Sequence, residues 1–566
     1  MVELGFGKTS KEEHKAKRSS WRRFCEETNS LEATSKLKRI LVKERSQKLG
    51  YLGLQNGKYT ESDEETANHL LEVYFPGSIL NLISGPTGAY SPQPRDWNLA
   101  CKVVSLERVK WAFNSFHRYK SASPDGIIPA LVIEGMDALG LHIRNIYRAC
   151  LTHAYIPIKW RDVQVLFIPK PGKPTYTDAK SFRPISLTSF MLKGLERLVD
   201  WFIRDTHIPK WPLHHRQHAY QKGKSTETAL HELTAKIEKA MSEKKYALGA
   251  FMDIEGAFNY ASFAAICDAA RRHGIEPLLI GWILHMLEWR KIHISVGQKS
   301  IEPGCLRGCP QGGILSPLLW LLVMDTLLWL LKDKNVFAQA FADDLAVIIT
   351  GKFADTVCDR LNATLHVIHS WCLRNGLTVN ARKTGLVMFT RNVRWGSYTL
   401  PTLAGAEIQL AQTIKYLGVH FDSKLTWKHH IQEQYQKSCR LLWCCRNAIG
   451  KTWGLSPKRI FRMYTSIIKP IVMYACIVWW PRLNFANSRR LLTQILRLGC
   501  LSITGAMSTS PTAALEAILN LPPIHLEVIR KAANDAYRLD TIGAWKGGQS
   551  NRHASIWKFL AKHPVA

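Results

Sequence analysis

The pattern of apolar and polar positions changes character three times along these 566 residues. Residues 1–50 scatter Trp21, Phe24, Leu31, Leu37, Ile40 and Leu41 among 13 Lys or Arg, a spacing that predicts basic, partly amphipathic helices. The breaker-rich run GPTGAYSPQP, Gly85 to Pro94, reads as a linker. From about residue 105, β-prone runs alternate with helical periods. VQVLFIPKPGK (163–173) is expected to be a strand ending in a basic turn, and SFRPISLTSFMLKGLERLVDWFI leads into a helix. YALGAFMDIEGAFNYAS (246–262) reads as an apolar strand interrupted by Asp253. NGLTVNARKTGLVMF (375–389) and IKYLGVHFD (414–422) read as further strands. Beyond Trp427 the β signal fades into amphipathic helices separated by GLSP, WWP and LPP breaks. The pattern as a whole predicts an α+β core flanked by helical segments.

One strand pair carries an anomaly. AQAFADDLAVIIT, Ala338 to Thr350, is apolar or small almost throughout, yet Asp343 and Asp344 stand together at its centre. A solvated hairpin tip and a metal-binding tip both fit that stretch alone. Asp253, embedded in its own β-prone run, is a third carboxylate that would be costly to bury unpaired. Three converging carboxylates without a neighbouring His or Cys suit a hard, oxygen-preferring cation such as Mg²⁺. Two such ions serve phosphoryl transfer by activating the attacking oxygen and stabilising the leaving one.

Charge narrows the partner. Lys and Arg number 76 against 45 Asp and Glu, a net +31 spread along the chain, which predicts salt-sensitive binding to a polyanion, nucleic acid first. Thirteen cysteines in so long a chain do not make a disulfide scaffold, and Cys305 and Cys309 lack a partner pair at zinc spacing, so a disulfide-linked partner is not expected. The apolar run 315–331 is short for a bilayer and contains Ser316, Pro317 and Asp325, so a buried helix, not a membrane span, is expected. GFGKTS near the start lacks the first Gly of a phosphate loop. A reducing, intracellular setting fits.

The ordered motifs SPDGI, FRPIS, QKGKSTETAL, FMDIEGAF, PQGGILSP, FADD, GLTVNARKT and YLGV, with WGLSP, WWP, TGA and SPTAALEAILNLPP downstream, resemble reverse transcriptases of non-LTR retrotransposons of the jockey and I-element kind. The resemblance covers about residues 15–540. It implies a right-hand polymerase: fingers and a palm with an antiparallel sheet over 105–425, a helical thumb over 426–540, a basic helical extension and linker over 1–104, and a tail over 541–566. It implies that Asp253, Asp343 and Asp344 bind two Mg²⁺ ions, with Mn²⁺ able to substitute, and that Lys383 protonates the departing pyrophosphate. Phe258 would be the gate that rejects a 2′-hydroxyl, and Gln311 and Gly312 would line the incoming dNTP. Arg183, with Lys170 or Lys173, would clamp its triphosphate. Tyr416, Leu417 and Gly418 would form the primer grip. The implied partners are an RNA template, a DNA primer or target, and dNTPs.

Three positions depart from the family pattern: Asn259 in place of Asp, Leu321 in place of Asn, and Ser508 in place of Arg. None is an expected metal ligand. They keep open a second reading, a catalytically weakened or domesticated RNA-binding protein with the same fold. An RNA-dependent RNA polymerase is disfavoured by Phe258 and Ala342, where such enzymes carry Asp and Gly. Neither an endonuclease nor a ribonuclease H fits beside the core, so the expectation is a fragment or truncated copy that extends a primer without nicking its own target. Relatives that prime at a chromosomal target imply nuclear entry, so nucleus and cytoplasm are the expected compartments.

Overall fold

The computed structural model describes residues 49–80, 93–392, 397–446, 455–545 and 552–562, apart from Gln55 and Pro174, together with isolated positions between 16 and 36. The apolar positions expected on N-terminal helices, and residues 85–92 of the expected linker, lie outside the described residues.

Ten strands frame the site: β1 (Asp162–Pro169), β2 (Phe182–Leu187), β3 (Tyr246–Glu255), β4 (Lys291–Val296), β5 (Phe337–Phe341), β6 (Asp344–Gly351), β7 (Thr378–Val379), β8 (Gly385–Phe389), β9 (Thr413–Tyr416) and β10 (Val419–Asp422). Eight helices matter to it: α1 (Asp63–Tyr74), α2 (Phe190–Thr206), α3 (Thr226–Ser242), α4 (Ser316–Asp333), α5 (Ala354–Arg374), α6 (Lys428–Arg446), α7 (Ala486–Thr504) and α8 (Ile524–Thr541). The chain is thus a mixed helix and sheet protein, and no described residue beyond Asp422 is in a strand.

The central sheet runs β7–β3–β6–β5, with β8 also paired to β3. β3 is buried on both faces. Leu248, Ala250, Met252 and Ile254 join a core around α4, whereas Ala247 and Phe251 join a second core with the C-terminal helices. Burial on both sides explains why its sequence is a nearly unbroken apolar run. Two-residue alternation then puts Asp253 on the Phe251 face. The run 315–331 is the body of α4, whose Leu318, Trp320, Leu322 and Leu327 are all buried. Among the described residues no single helix is long and apolar enough to cross a membrane; a bent pair, 457–473 with 476–484, matches by length and composition only.

Residues ahead of the expected boundary at 105 contact the strands that follow it. Ile79–Leu80 pairs antiparallel with Pro303–Gly304 in the sheet that holds β1, β2 and β4, and Leu70 and Leu71 of α1 pack with Phe182 and Ile294. Residues 49–80 therefore build the same body as β1 and β2. The expected tail is also docked: His553 is fully buried against Glu238 of α3, and the Trp480 indole donates to its carbonyl at 2.8 Å. IKYLGVHFD is a hairpin, β9–β10, and not one strand.

Candidate active site

Antiparallel pairing of β3 with β6 sets Asp253 directly opposite Asp344. β5 and β6 are joined by Ala342 and Asp343 alone, since Phe341 already pairs with Asp344. A two-residue loop of this kind needs a positive φ at its first position to match strand twist, and Ala342 supplies it at +58°. The Ile254 amide donates to the Asp343 carbonyl at 3.2 Å, tying the turn to β3. From the other side the buried Trp320 of α4 donates its indole N–H to the Ala342 carbonyl at 2.9 Å. The Asp pair is thus a pinned tip, and the three acids share one end of the sheet.

Their electrostatics agree. Burial raises the Asp344 carboxyl to about 6, and repulsion from Asp343 and Asp253 adds to the rise. Burial first, then Asp343, raises Asp253, while Lys383 and Lys170 oppose the shift. Asp343 is raised by burial against the pull of its own backbone, Arg183 and Lys170. Among the described residues no group of three or more His, Cys, Asp or Glu side chains stands close enough to hold a metal ion. The acids therefore interact through their charges without forming a closed ligand set.

A basic rim surrounds them. Arg183 of β2 faces Ile168 of β1 in register, and Lys170 follows β1 directly. Burial and the charges of Arg183, Lys173 and Lys383 all lower the Lys170 pKa. Lys173 is exposed and touches this cluster only through its field. Lys383 sits on the short turn Ala381–Lys383 between β7 and β8, and donates to Glu255 at 2.7 Å. Asn380 donates to the same oxygen at 3.0 Å, and Lys180 lies 3.7 Å from the other. Glu255, two residues past Asp253 on β3, thus holds Lys383 near the triad. Sequence reasoning missed Glu255, because its role depends on the pairing of β7 with β3, some 120 residues apart.

The loop before α4 lies against β2. The Ser186 amide donates to the Gln311 carbonyl at 2.8 Å, and a Cβ on Gly312 (φ +130°) would stand 2.6 Å from the Ser186 carbonyl oxygen. Only glycine lets the two backbones approach this closely. Glu196 of α2 is fully buried and accepts from the Ile314 and Leu315 amides at 2.6 and 2.9 Å, fixing the start of α4. Phe258, on the short helix Ala257–Tyr260, is half-buried with its ring centre 6.2 Å from that of Trp320. Its carbonyl accepts from the Cys309 amide at 2.6 Å, which joins Phe258 to the same loop.

The β9–β10 hairpin turns at Leu417 and Gly418, both with positive φ. Tyr416 is buried beneath it, beside Gln339, and its phenol is shifted up by burial and the Asp344 charge. Leu417 is partly buried and Gly418 exposed at the tip. The Tyr474 hydroxyl donates to the Leu417 carbonyl at 2.9 Å. Trp320, Glu196 and Tyr474 carried no sequence signal, since each acts through a partner that only the tertiary fold supplies.

Of the departures, Asn259 is buried with its carbonyl against Gly308, where a Cβ would stand 2.2 Å away. Leu321 is fully buried, and its carbonyl accepts from Gln217 at 2.9 Å. The Ser508 carbonyl accepts from Arg497, which also donates to Ser510 and Thr512.

An antiparallel sheet that presents three carboxylates, ringed by cations, has the donor types of a nucleotidyl-transfer site. Residues 168–421 match the family model described as reverse transcriptase (RNA-dependent DNA polymerase), so the chain contains a reverse transcriptase domain. Over most of its length it is similar to curated retrotransposon proteins. It is 26% identical, over 85% of this chain and 47% of the relative, to a retrovirus-related Pol polyprotein from the type-1 retrotransposable element R1 of Bradysia coprophila. It is 28% identical, over 82% of this chain and 51% of the relative, to the RNA-directed DNA polymerase from mobile element jockey of Drosophila melanogaster. A probable RNA-directed DNA polymerase from transposon BS of the same fly is 27% identical, over 79% of this chain and 49% of the relative. The chain spans about half the length of these relatives.

Proposed function

We propose that this chain is the RNA-directed DNA polymerase part of a non-LTR retrotransposon, extending a primer 3′-hydroxyl with dNTPs on an RNA template. The observation that carries the reading is the direct pairing of Asp253 with Asp344 beside the Asp343 turn, inside the segment that matches the reverse transcriptase family. On this reading the β1–β2–β4 sheet is the fingers, the β3-centred sheet the palm, and the helices from Lys428 onward the thumb.

The three acids offer the oxygen donors that divalent cations take, although among the described residues their side chains do not stand close enough to close on one. Their ligands are all oxygen, and their pKa values are raised by burial, with mutual repulsion adding at Asp253 and Asp344, a cost that a bound cation would relieve. Reverse transcriptases generally use divalent metals; Mg²⁺, or Mn²⁺ in its place, held by Asp253, Asp343 and Asp344 would activate the attacking hydroxyl and offset charge on the transferred phosphate. The protein's own groups do the rest. Arg183 and Lys170 receive the triphosphate, with exposed Lys173 a weaker candidate. Lys383, held by Glu255, delivers a proton to the departing pyrophosphate. Phe258, braced on Trp320, excludes a 2′-hydroxyl, while Gln311 and Gly312 line the nucleotide. The Leu417–Gly418 tip supports the primer strand. On the same reading the protein acts inside the cell, in the nucleus, the cytoplasm or both.

The test is primer extension on annealed poly(rA)–oligo(dT) with Mg²⁺, comparing dNTP with rNTP incorporation. Wild type should incorporate dNTPs, and Asp343→Ala should not. Incorporation that survives Asp343→Ala removes the site assignment; salt-sensitive RNA binding without any incorporation removes the polymerase reading.

A further inference from the structure

A basic groove lies among the C-terminal helices, away from the carboxylates. Two adjoining cavities, of about 520 Å³ and about 350 Å³, share Arg482 as a common wall. The first also holds Phe485 and Arg552, and the second Lys428 and Arg490. Among the described residues the sole acid on either lining is Glu238, which is buried and engaged by the His553 imidazole at 2.8 Å. Lys428, Arg490 and Arg552 are exposed and pair with no carboxylate among the described residues. Arg482 turns its guanidinium over the Phe485 ring at 4.3 Å, and that ring is 56% exposed. The rest of the lining is rich in Asn, Gln, Ser and Thr.

Position separates this groove from the site. α3 begins beside the catalytic end of the sheet, where Thr228 bonds His218 and the His218 amide bonds Ala340 of β5. Glu238 lies ten residues further along α3, about 15 Å of helix away from that end.

We infer that this groove binds a single-stranded stretch of RNA. Four cations with one neutralised acid set up the field that phosphates need, and an exposed ring capped by Arg is a stacking platform for a base. Each cavity is of the size that a small ligand such as one nucleotide fills. The amide and hydroxyl groups offer donors and acceptors to 2′-hydroxyls, which favours RNA over DNA. The choice of RNA rests on the template reading above; the existence of the groove does not.

Fluorescence anisotropy with the full chain and a labelled single-stranded RNA of about 12 nucleotides tests it. The measurement is repeated in the presence of saturating annealed primer–template. The RNA should remain bound alongside the duplex, and a cross-linking uridine analogue should map to the segments around 482–490 and 552. The double variant Arg490→Glu, Arg552→Glu should weaken RNA binding about tenfold or more and reduce the salt slope by about two. Phe485→Ala, a change at an exposed position, should weaken it about fivefold or more. Complete displacement by the duplex, or unchanged affinity in both variants, overturns the groove. Equal affinity for DNA of the same sequence overturns the choice of RNA. Incorporation of dNTPs by wild type is read separately, so loss of the polymerase reading and loss of the groove are distinguishable.

Discussion

The β5–β6 hairpin of the central sheet and the separate β9–β10 hairpin make an instructive pair. Phe341 to Asp344 and Tyr416 to Val419 each join antiparallel strands through two residues, and each turn carbonyl is held by an aromatic donor from a helical segment. Trp320 bonds the Ala342 carbonyl and Tyr474 bonds the Leu417 carbonyl, both at 2.9 Å. What they carry differs. The first holds partly buried acids whose pKa values are raised, and the second holds the buried Tyr416 ring and Val419. One backbone device thus serves two ends. In the first hairpin the cost is electrostatic, and burial of the turn's neighbours must offset it; in the second burial itself is the gain.

The largest expected effect separates these roles. Asp253→Ala should lower dNTP incorporation by roughly 10³-fold or more, while its melting temperature holds or rises, because a repelled carboxylate is removed. Gly418→Ala should do the opposite. It forces a Cβ at φ +80°, 3.1 Å from the Tyr474 ring, and should cost about 1–3 kcal/mol of stability with a smaller loss of rate. A melting temperature that falls in Asp253→Ala as far as in Gly418→Ala would erase the contrast.

Next come the two aromatic struts. Trp320→Phe removes the donor to the Ala342–Asp343 turn and should lower kcat about tenfold with little change in the KM for primer–template. Tyr474→Phe removes the donor to the other turn and should raise that KM several-fold with kcat retained. Steady-state kinetics on one template decides it, and matching kcat and KM effects in both variants would mean the struts are only structural.

Much of this contrast was legible beforehand, and the remainder was hidden for physical reasons. The paired acids in an apolar strand declare an electrostatic cost, so the Asp343–Asp344 turn and Asp253 could be found from residue type alone. The β9–β10 turn could not, because Leu417 occupies a positive-φ position where turn chemistry leads one to expect Asn or Gly. Glu255 was missed because the nearby Asp253 is the more conspicuous acid, and only strand pairing brings Lys383 to it. Residues 49–80 were counted within an extension and linker over 1–104, yet Tyr74 donates to the carbonyls of Ala179 and Phe182 across more than a hundred residues. Periodicity reports local structure, and these contacts are not local.

A smaller effect follows from titration. The Asp344 carboxyl stands at about 6 against an ordinary 3.8, so the metal-free fold binds this proton more tightly than the unfolded chain does. The stability from that proton is complete below pH of about 4 and is lost as pH rises through about 6. Asp344→Asn should therefore raise the melting temperature at pH 7.5 but not at pH 4. The gain should be about 1–2 kcal/mol, the group's partial exposure reducing what the full shift implies. Added Mg²⁺ at pH 7.5 should close the gap by stabilising wild type more than the variant. An identical difference at both pH values would show that the fold does not raise the Asp344 carboxyl.

The smallest effect is the sharpest probe of the shared device. Ala342 holds φ +58° without being glycine, a conformation costing on the order of 1 kcal/mol. Ala342→Gly relieves that strain but frees the unfolded chain by about 0.4–1 kcal/mol, so the two terms nearly cancel and stability should move by less than about 0.5 kcal/mol. Rate is then the informative readout. If the Trp320 bond and the β3 contact pin the turn, kcat should fall by no more than about twofold, since the carbonyl they hold is still there. A larger fall would mean that the methyl group's restriction, and not the hydrogen bonds, keeps Asp343 and Asp344 in place. Paired with Gly418→Ala, the substitution exchanges the residue types of the two turns, and the asymmetry of the outcomes measures how far each hairpin relies on its backbone alone.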